Sequence, residues 1–222
     1  MVTAGHCRKE HSVSEPLNPI LPPRSPIAII RLDDLTPSEF ILAALLEGGV
    51  TRVEFTLTSP GANDAIRRAR EEFGDRMVIG AGTVLTPEDA RDCIEAGAQF
   101  LVTPTLSPDV VFEANAAEIP IACGTYTPTE MLEAHRAGAD FIKLFPATRV
   151  GPGYVKDVLA PLPFLKIIPT GGVTVENAAE FLQAGAYSVA VGSNLVSPSA
   201  VAASDWAQVT ALAKAFIKSC SH

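Results

Sequence analysis

The stretch TPTEMLEAHRAGADFIKLF, residues 127–145, contains one complete unit of the pattern that decides the fold of this chain. Thr127, Pro128 and Glu130 form a helix-start signal, with a capping hydroxyl, a proline at the first helical position and an acidic residue in the first turn. Gly138 is suited to end that helix because glycine readily adopts a left-handed backbone conformation. The apolar run 140–145 then has the length of one buried strand.

The same unit recurs along the chain from residue 26 onward. Eight apolar runs are typical of strands, at 27–32, 51–57, 77–81, 99–103, 119–123, 140–145, 165–169 and 187–192. Helical patterns lie between them, for example at 37–47, 87–96, 128–137 and 175–184. Residues 36–39 repeat the capping box, and the segments that begin at Thr86 and Ser107 are close variants of it. The helix ends also agree, with Gly49, Gly97, Gly138 and Gly185 just before a strand.

Eight strand–helix units in about 200 residues predict an α/β fold of the (β/α)8 or TIM-barrel type. The main alternative is an open, doubly wound parallel sheet. The barrel is favoured because no Gly-x-Gly-x-x-Gly pattern for dinucleotide binding follows the first strand. Residues 1–25 are rich in proline and lack periodicity, so they predict a flexible N-terminal extension. The barrel domain is then expected to span residues 26–222.

Composition argues against several classes of function. The formal net charge of −8 is unfavourable for a nucleic-acid partner. No apolar run approaches the roughly 18 residues of a membrane span, so no membrane contact is expected. Cys7, Cys93, Cys123 and Cys220 show no paired or metal-ligand spacing, and the four histidines are scattered. We therefore expect reduced thiols, a cytoplasmic location and no metal site.

Lys143 lies in the middle of the predicted strand 140–145, where a lysine is rarely buried without a partner or a task. The fifth residues after the four helix-ending glycines are Glu54, Val102, Lys143 and Ala190, in strands two, four, six and eight. Alternate strands of a barrel supply the four inward side chains of one layer. We therefore expect Glu54 and Lys143 to face each other across the barrel interior.

This pair predicts a nucleophilic amine. In a mostly dry cavity the charged form of lysine is disfavoured, so the pKa of Lys143 should fall. A neutral amine attacks carbonyl carbon and forms a Schiff base, and Glu54 supplies a nearby carboxyl group. The alternative is a buried salt bridge that only stabilises the barrel.

Polar residues and glycines collect at the predicted carboxyl ends of the strands, where barrel active sites lie. They are Arg31 after strand one, Thr83 after strand three, Thr103 and Pro104 after strand four, Thr170, Gly171 and Gly172 after strand seven, and Gly192 and Ser193 after strand eight. Loops after strands seven and eight commonly bind phosphate, and glycine turns let main-chain N–H groups approach an anion. A hydroxyl from Thr174 or Ser193 could contribute to such a site. The sequence therefore predicts a phosphate site at this end.

Five segments carry a resemblance to a known family. They are GVTRVEFTL (49–57), GAGTV (80–84), FIKLFPA (141–147), PTGGV (169–173) and VGS (191–193). Together, over about residues 26–218, they resemble the 2-keto-3-deoxy-6-phosphogluconate (KDPG) / 4-hydroxy-2-oxoglutarate aldolase family. Members of that family are class I aldolases on a (β/α)8 barrel.

The resemblance implies a role for each matching residue. Lys143 resembles the lysine that forms the Schiff base with pyruvate, and Glu54 resembles the carboxylate that moves protons. The keto-acid pocket would be lined by Thr83, Thr103 and Pro104. Apart from the resemblance, we expect Phe145 to pack against the pyruvate or the stem of Lys143, and the alternative is that it only fills the core. The phosphate would lie on Gly171, Gly172, Gly192 and Ser193. No metal or organic cofactor is implied, and the family suggests a homotrimer.

The expected reaction is cleavage of KDPG to pyruvate and glyceraldehyde 3-phosphate, a step of the Entner–Doudoroff pathway. Alternatives that share the imine are the epimer 2-keto-3-deoxy-6-phosphogalactonate, 4-hydroxy-2-oxoglutarate and decarboxylation of oxaloacetate. A barrel that binds a phosphometabolite without catalysis, or a phosphosugar isomerase or biosynthetic barrel, would be a different class of protein. The facing lysine and glutamate favour the aldolase.

One position departs from the family pattern. Many members carry an arginine that holds the substrate carboxylate after the Glu-x-Thr-Leu motif, where this chain has Thr58. Arg31 resembles the replacement used in other branches, because its planar guanidinium can bind a carboxylate with two hydrogen bonds. The stretches 58–60 and 151–156 also resemble the phosphogalactonate branch. The stereochemistry at C4 of the substrate therefore stays open.

Overall fold

The computed structural model describes residues 20–221, and in that part of the chain eight parallel strands alternate with helices. The strands are β1 Ile27–Ile30, β2 Arg52–Thr56, β3 Val78–Gly82, β4 Leu101–Val102, β5 Ile121–Thr125, β6 Phe141–Leu144, β7 Ile167–Pro169 and β8 Ala190–Val191. The helices are α1 Ser38–Glu47, α2 Ala62–Phe73, α3 Pro87–Glu95, α4 Pro108–Ala116, α5 Pro128–Arg136, α6 Gly151–Leu159, α7 Val175–Gln183, α8 Pro198–Ala202 and α9 Trp206–Cys220.

The sheet closes on itself. Its order is β7-β6-β5-β4-β3-β2-β1-β8. A parallel bridge between Thr170 and Ala190 joins the two ends, and the Tyr187 N–H donates to Ile167 O over 2.8 Å. The fold is therefore the predicted (β/α)8 barrel, and the open doubly wound sheet is excluded. All eight predicted strands are confirmed. Six are shorter than their apolar runs because burial continues past the hydrogen-bonded ladder, and β3 and β5 keep the predicted length but begin one and two residues later.

Two separate apolar clusters follow from the alternation of side chains along the strands. The larger cluster lies between the strands and the helices and contains Val53, Phe55, Ile142 and Leu144. The smaller cluster fills the barrel interior and includes Leu21, Ile27, Ile29, Phe100, Val102, Ala122, Phe141, Ile168 and Ala190. The inward direction of positions 102 and 190 confirms the predicted register.

The helix starts match the sequence in part. The capping boxes at Thr86 and Thr127 are confirmed, and Thr174 forms a further one with Asn177. The capping box at 36–39 is wrong, because the Thr36 hydroxyl donates to Asp34 Oδ1 over 2.6 Å and the cap of α1 is Pro37. The Ser107 variant is also wrong, since that hydroxyl donates to Thr105 O over 3.2 Å.

The end of the barrel opposite the carboxyl ends of the strands is covered by residues 20–25, which the sequence assigned to the N-terminal extension. Leu21 is buried in the interior cluster, and its carbonyl accepts a hydrogen bond from the Tyr187 hydroxyl. Arg24 donates to Cys220 O at the end of α9. The packed part of the described chain thus begins before residue 26. The expected flexibility of residues 1–19 lies outside the described residues.

Within residues 20–221 no helix combines the length and the apolar character needed to cross a membrane.

Candidate active site

Lys143 on β6 and Glu54 on β2 both point into the barrel interior. Lys143 is 4% exposed and Glu54 is 2% exposed. Their outward neighbours Phe55 and Leu144 pack under the helices, as the register predicted. No salt bridge within residues 20–221 joins the two groups, although each influences the pKa of the other. A direct ion pair therefore does not explain why they are buried.

A glycine on the neighbouring strand makes room for Glu54. Gly82 of β3 pairs with Thr56 of β2, so the carboxyl group of Glu54 lies directly over it. A Cβ at position 82 would collide with Glu54 Oε1, Cδ and Cγ. Glycine inside a strand often marks such a close approach. Gly82 thus sets the place of the Glu54 carboxyl group, a role that the sequence analysis missed.

Burial drives both titratable groups toward their neutral forms. Loss of hydration lowers the pKa of Lys143, and Arg31 lowers it further while Glu54 opposes the change. Loss of hydration raises the pKa of Glu54, against the opposing effects of Lys143 and Arg31. A neutral amine is a nucleophile, and a carboxyl group with a raised pKa keeps its proton more readily and can pass it to a reacting group.

The side of Lys143 that faces β5 is shaped by backbone. Gly124 pairs with Lys143, and a Cβ at position 124 would collide with the main chain of Pro104 and Thr105. The loop after β4 therefore crosses beside the lysine. The Thr103 hydroxyl accepts from the Gly124 N–H over 2.9 Å and donates to Thr105 O over 2.7 Å. The hydroxyl hydrogen of Thr103 is therefore used within this turn. In this arrangement Thr103 stabilises the loop beside Lys143 and does not donate to a ligand.

An open cavity of about 320 Å³ lies at the carboxyl ends of the strands. It brings together six of the predicted site residues, namely Arg31, Phe145, Gly171, Gly172, Gly192 and Ser193. The ring of Phe145 connects it to the lysine, since Lys143 Nζ lies 5.1 Å from the ring centroid. A larger groove of about 540 Å³ lies between α1 and α9, where it touches no residue of the predicted site. Neither Lys143 nor Glu54 lines the smaller cavity. It is the candidate site because its lining residue Phe145 lies beside Lys143 and its lining residue Arg31 influences the pKa of both titratable groups.

The two glycine turns are held by asparagine side chains. Asn177 Nδ2 donates to Gly172 O over 3.0 Å, and Asn194 Nδ2 donates to Val173 O over 2.8 Å. The second bond ties the loop after β8 to the loop after β7. Gly171 and Gly172 have φ values of 85° and 78°, so this turn requires glycine. Sequence reasoning missed both asparagines because their partners are known only once the loops are placed.

These turns present main-chain donors to the cavity edge. The N–H groups of Gly172, Val173, Ser193 and Asn194 donate to no acceptor within residues 20–221. Successive main-chain N–H groups in turns are a common basis of anion sites. The Thr174 hydroxyl, a further predicted donor, instead accepts from the Asn177 N–H as the cap of α7. Ser193 remains exposed at the cavity.

The predicted site residue Thr83 and two further residues, Tyr126 and Cys123, lie outside the cavity lining. Thr83 follows Gly82 with a φ of 57°, a strained conformation for a β-branched residue and a frequent mark of functional sites. Tyr126 stacks on Tyr154 with ring centroids 6.4 Å apart, outside the cavity lining. Cys123 packs in the outer cluster, where burial raises the pKa of its thiol. Among residues 20–221 no three His, Cys, Asp or Glu side chains group together as metal ligands.

Comparison with known proteins places these features in a family. The family model described as "Aldolase: KDPG and KHG aldolase" matches residues 20–212. The chain is 37% identical over 172 residues to the 2-dehydro-3-deoxy-6-phosphogalactonate aldolase of Escherichia coli K12, covering 76% of this chain and 83% of that protein. It is 36% identical over 189 residues to the 2-dehydro-3-deoxy-phosphogluconate aldolase of Pseudomonas aeruginosa, covering 85% and 84% respectively.

A solved structure shows the same fold with a covalently captured ligand. The KDPG aldolase of Legionella pneumophila superposes with a TM-score of 0.83 at 30% identity, covering 89% of this chain and 96% of that one. It was determined with pyruvate captured at low pH as a covalent carbinolamine intermediate. On the family model and the identity to these relatives, the chain belongs to the KDPG and KHG aldolase family.

Proposed function

We propose that this chain is a metal-independent class I aldolase in which Lys143 forms an imine with the C2 carbonyl of a 2-keto-3-deoxy-6-phospho sugar acid. The observation that carries the proposal is the buried Lys143–Glu54 pair, whose pKa values are moved in opposite directions by burial. Neither group is held in a salt bridge within the described residues. A purely structural charge pair would be expected to make direct contact.

The first step is addition of the neutral Lys143 amine to C2. Glu54, whose pKa is raised, gives its proton to the hydroxyl of the resulting carbinolamine. Loss of water then leaves a protonated imine, which withdraws electrons from the adjacent carbons, and a Glu54 carboxylate. The lowered pKa of Lys143 increases the fraction of amine that is ready to add. The Phe145 ring lies beside the amine, with its centroid 5.1 Å from Lys143 Nζ.

The second step breaks the C3–C4 bond. Glu54, directly or through a water molecule, takes the proton of the C4 hydroxyl, and the electrons of the bond move into the imine. The products are an enamine of pyruvate and glyceraldehyde 3-phosphate. Protonation of the enamine at C3 and hydrolysis of the imine release pyruvate and restore the amine. Acid–base help of this kind is typically worth about 10²–10⁴-fold in rate.

The ends of the substrate match two features of the cavity. Arg31 lies close enough to influence the pKa of both Lys143 and Glu54, so its guanidinium is the candidate partner of the C1 carboxylate. The N–H groups of the loops after β7 and β8 are the candidate partners of the phosphate. On this assignment Thr83 and Pro104 line the pyruvate side, near Gly82 and Gly124.

The substrate that we propose is KDPG, and its C4 epimer 2-keto-3-deoxy-6-phosphogalactonate is the second candidate. The epimer is favoured by Thr58 and its neighbours, which depart from the arginine of the gluconate pattern. The E. coli relative named for the galactonate compound and the Pseudomonas relative named for the gluconate compound are almost equally similar to this chain.

A side-by-side assay tests the function and ranks the substrates. Purified protein is given KDPG, the galactonate epimer, 4-hydroxy-2-oxoglutarate and oxaloacetate, and pyruvate release is followed with a coupled dehydrogenase. We expect both phosphorylated compounds to be cleaved faster than 4-hydroxy-2-oxoglutarate, because only they can use the phosphate loops. Turnover should survive treatment with EDTA. Absence of pyruvate release from all four compounds would reject the aldolase function.

The homotrimer and the cytoplasmic location stay predictions. The mass of the protein in solution, measured by light scattering, tests the first of them.

A further inference from the structure

Arg31 lies just beyond the last hydrogen-bonded position of its strand. The β1–β2 ladder ends where Ile30 pairs with Phe55, so sheet hydrogen bonds no longer hold the chain at Arg31. The Arg31 side chain is exposed at the cavity. A long side chain on unsupported backbone would lose much of its freedom on binding a ligand, which weakens binding.

Hydroxyl groups from the last residue of β2 and from the loop that follows it take the place of sheet hydrogen bonds at this point. The Thr56 hydroxyl donates to Ile30 O over 3.3 Å, on one side of Arg31. The Leu32 N–H donates to Ser59 Oγ over 3.0 Å, on the other side. Both hydroxyl residues are buried, with exposures of 0% for Thr56 and 2% for Ser59. The two peptide groups that flank Arg31 are therefore fixed to the β2 segment.

The segment that supplies these hydroxyls is itself anchored. The Leu57 N–H donates to Gly82 O over 2.8 Å, and the Ser59 N–H donates to Thr56 O over 2.9 Å. Thr58 adds a third hydroxyl to this segment, at hydrogen-bond distance from the Thr56 hydroxyl (3.0 Å). The support of Arg31 thus continues through β2 to β3, the strand on which Gly82 fixes Glu54.

We propose that Ser59 and Thr56 are positioning residues that hold Arg31 for the carboxylate of the keto acid. The proposal rests on the proposed role of Arg31. It also accounts for the position where this chain has Thr58 and many family members have an arginine. In this chain the loop supplies no arginine of its own, and the Thr56 and Ser59 hydroxyls hold Arg31 at the end of the neighbouring strand instead. Without the Ser59 hydroxyl, the Leu32 N–H loses its acceptor in a buried place, and the chain at Arg31 is free to shift.

The test measures how well the protein distinguishes a carboxylate from its neutral ester. Pyruvate and methyl pyruvate are each titrated, with cyanoborohydride present, and the concentration that gives half-maximal trapping is determined. Ser59→Ala should reduce the preference for pyruvate over the ester by about 3- to 10-fold, the range expected for one lost hydrogen bond. The maximal rate of trapping should change little. Ser59→Thr, which keeps a hydroxyl, should restore most of the preference.

Two further variants separate positioning from a general loss of structure. Ser188→Ala removes a buried hydroxyl that donates to Ser25 O outside the cavity, and it should leave the preference unchanged. In the Arg31→Ala background, Ser59→Ala should have no additional effect on the preference, because the residue acts through Arg31. If Ser59→Ala does not fold, Thr56→Val removes the contact on the other side of Arg31 and should give the same signature.

Three results would overturn the proposal. The first is an equal rise in the half-saturating concentrations of both compounds with Ser59→Ala. The second is an unchanged preference in Ser59→Ala while Arg31→Ala abolishes it, which rejects positioning but keeps the role of Arg31. The third is an unchanged preference in Arg31→Ala, which removes the carboxylate role itself.

Discussion

At the scale of single residues, the chemistry that we propose for this barrel depends on Lys143 and Glu54, whose charged forms burial disfavours. A lysine ammonium and a carboxylate each lose hydration inside a protein. Burial therefore costs more free energy for the charged form of each group than for its neutral form. Lys143 and Glu54 influence each other without forming a salt bridge in the described residues. The result is an amine and a carboxyl group that can exchange protons with a reacting molecule.

The pKa of Lys143 should respond to its two charged neighbours with opposite signs. Glu54 raises this pKa, so Glu54→Gln should lower it. The pH at which the rate of pyruvate trapping reaches half of its maximum should then be lower than in the wild type. Arg31 lowers this pKa, so Arg31→Ala should raise it, and the half-maximal trapping rate should be reached at a higher pH than in the wild type. The measurement is the trapping rate at saturating pyruvate across a pH series with one reductant.

In the wild type the midpoint should lie below the ordinary lysine value of about 10.4. Shifts of the two variants in the same direction would contradict the electrostatic account.

Gly82→Ala should disable Glu54 without removing the amine. The added methyl group would displace the Glu54 carboxyl group, so kcat for cleavage should fall by about 10²- to 10⁴-fold, the usual worth of general acid–base catalysis. Lys143 should still be trapped by pyruvate. The measurement is kcat for the best substrate beside the yield of trapping.

Gly153→Ala is the matched control, because a Cβ at that position of α6 meets no other atom within 4 Å. It should keep kcat and add stability. An unchanged kcat in Gly82→Ala would show that the place of the Glu54 carboxyl group does not matter for cleavage.

At the scale of elements, similar sequences begin helices in different ways. Thr86 forms a full capping box, accepting from the Asp89 N–H over 3.1 Å. Thr36 precedes a proline in the same manner but bonds to Asp34, because a nearby carboxylate competes for its hydroxyl. Sequence patterns therefore locate the helices well, whereas the partner of each capping hydroxyl depends on the residues just upstream.

Thr86→Ala should cost about 1 kcal/mol of stability, and Thr36→Ala should cost less than half as much. The physical reason is that only the first substitution leaves a helical N–H without its acceptor. Urea unfolding of both variants and of the wild type measures the difference. A larger loss in Thr36→Ala would contradict the capping assignment.

At the scale of the whole molecule, ring closure brings together residues that are far apart in sequence. Regular strand–helix spacing and the helix-ending glycines were sufficient to predict the barrel and to place Glu54 and Lys143 in one layer. They were not sufficient for the contacts between neighbouring strands. The approach of Glu54 to Gly82 and the bond from Asn194 to Val173 depend on inter-strand register and loop path, which a single sequence does not encode locally.

The same limit applies to hydroxyl residues at the carboxyl ends of the strands. Thr103 and Thr174 carry hydroxyls at the correct end of the barrel, yet the folded chain uses both to fix its own turns. Buried polar groups must find partners within the protein, and nearby backbone is the first to offer them. Position at a strand end therefore predicts where a residue lies more reliably than it predicts what the residue binds.

Trapping of pyruvate by borohydride, followed by peptide mapping, tests the central claim most directly. We expect the wild-type protein to gain one reduced pyruvate adduct, on the peptide that contains Lys143, while Lys143→Ala gains none and keeps its circular dichroism spectrum. The exposed Lys166, which lies over the rings of Phe141 and Tyr187, serves as an internal control and should stay unmodified. A wild-type protein without an adduct, or with its adduct on a lysine other than Lys143, would contradict the account.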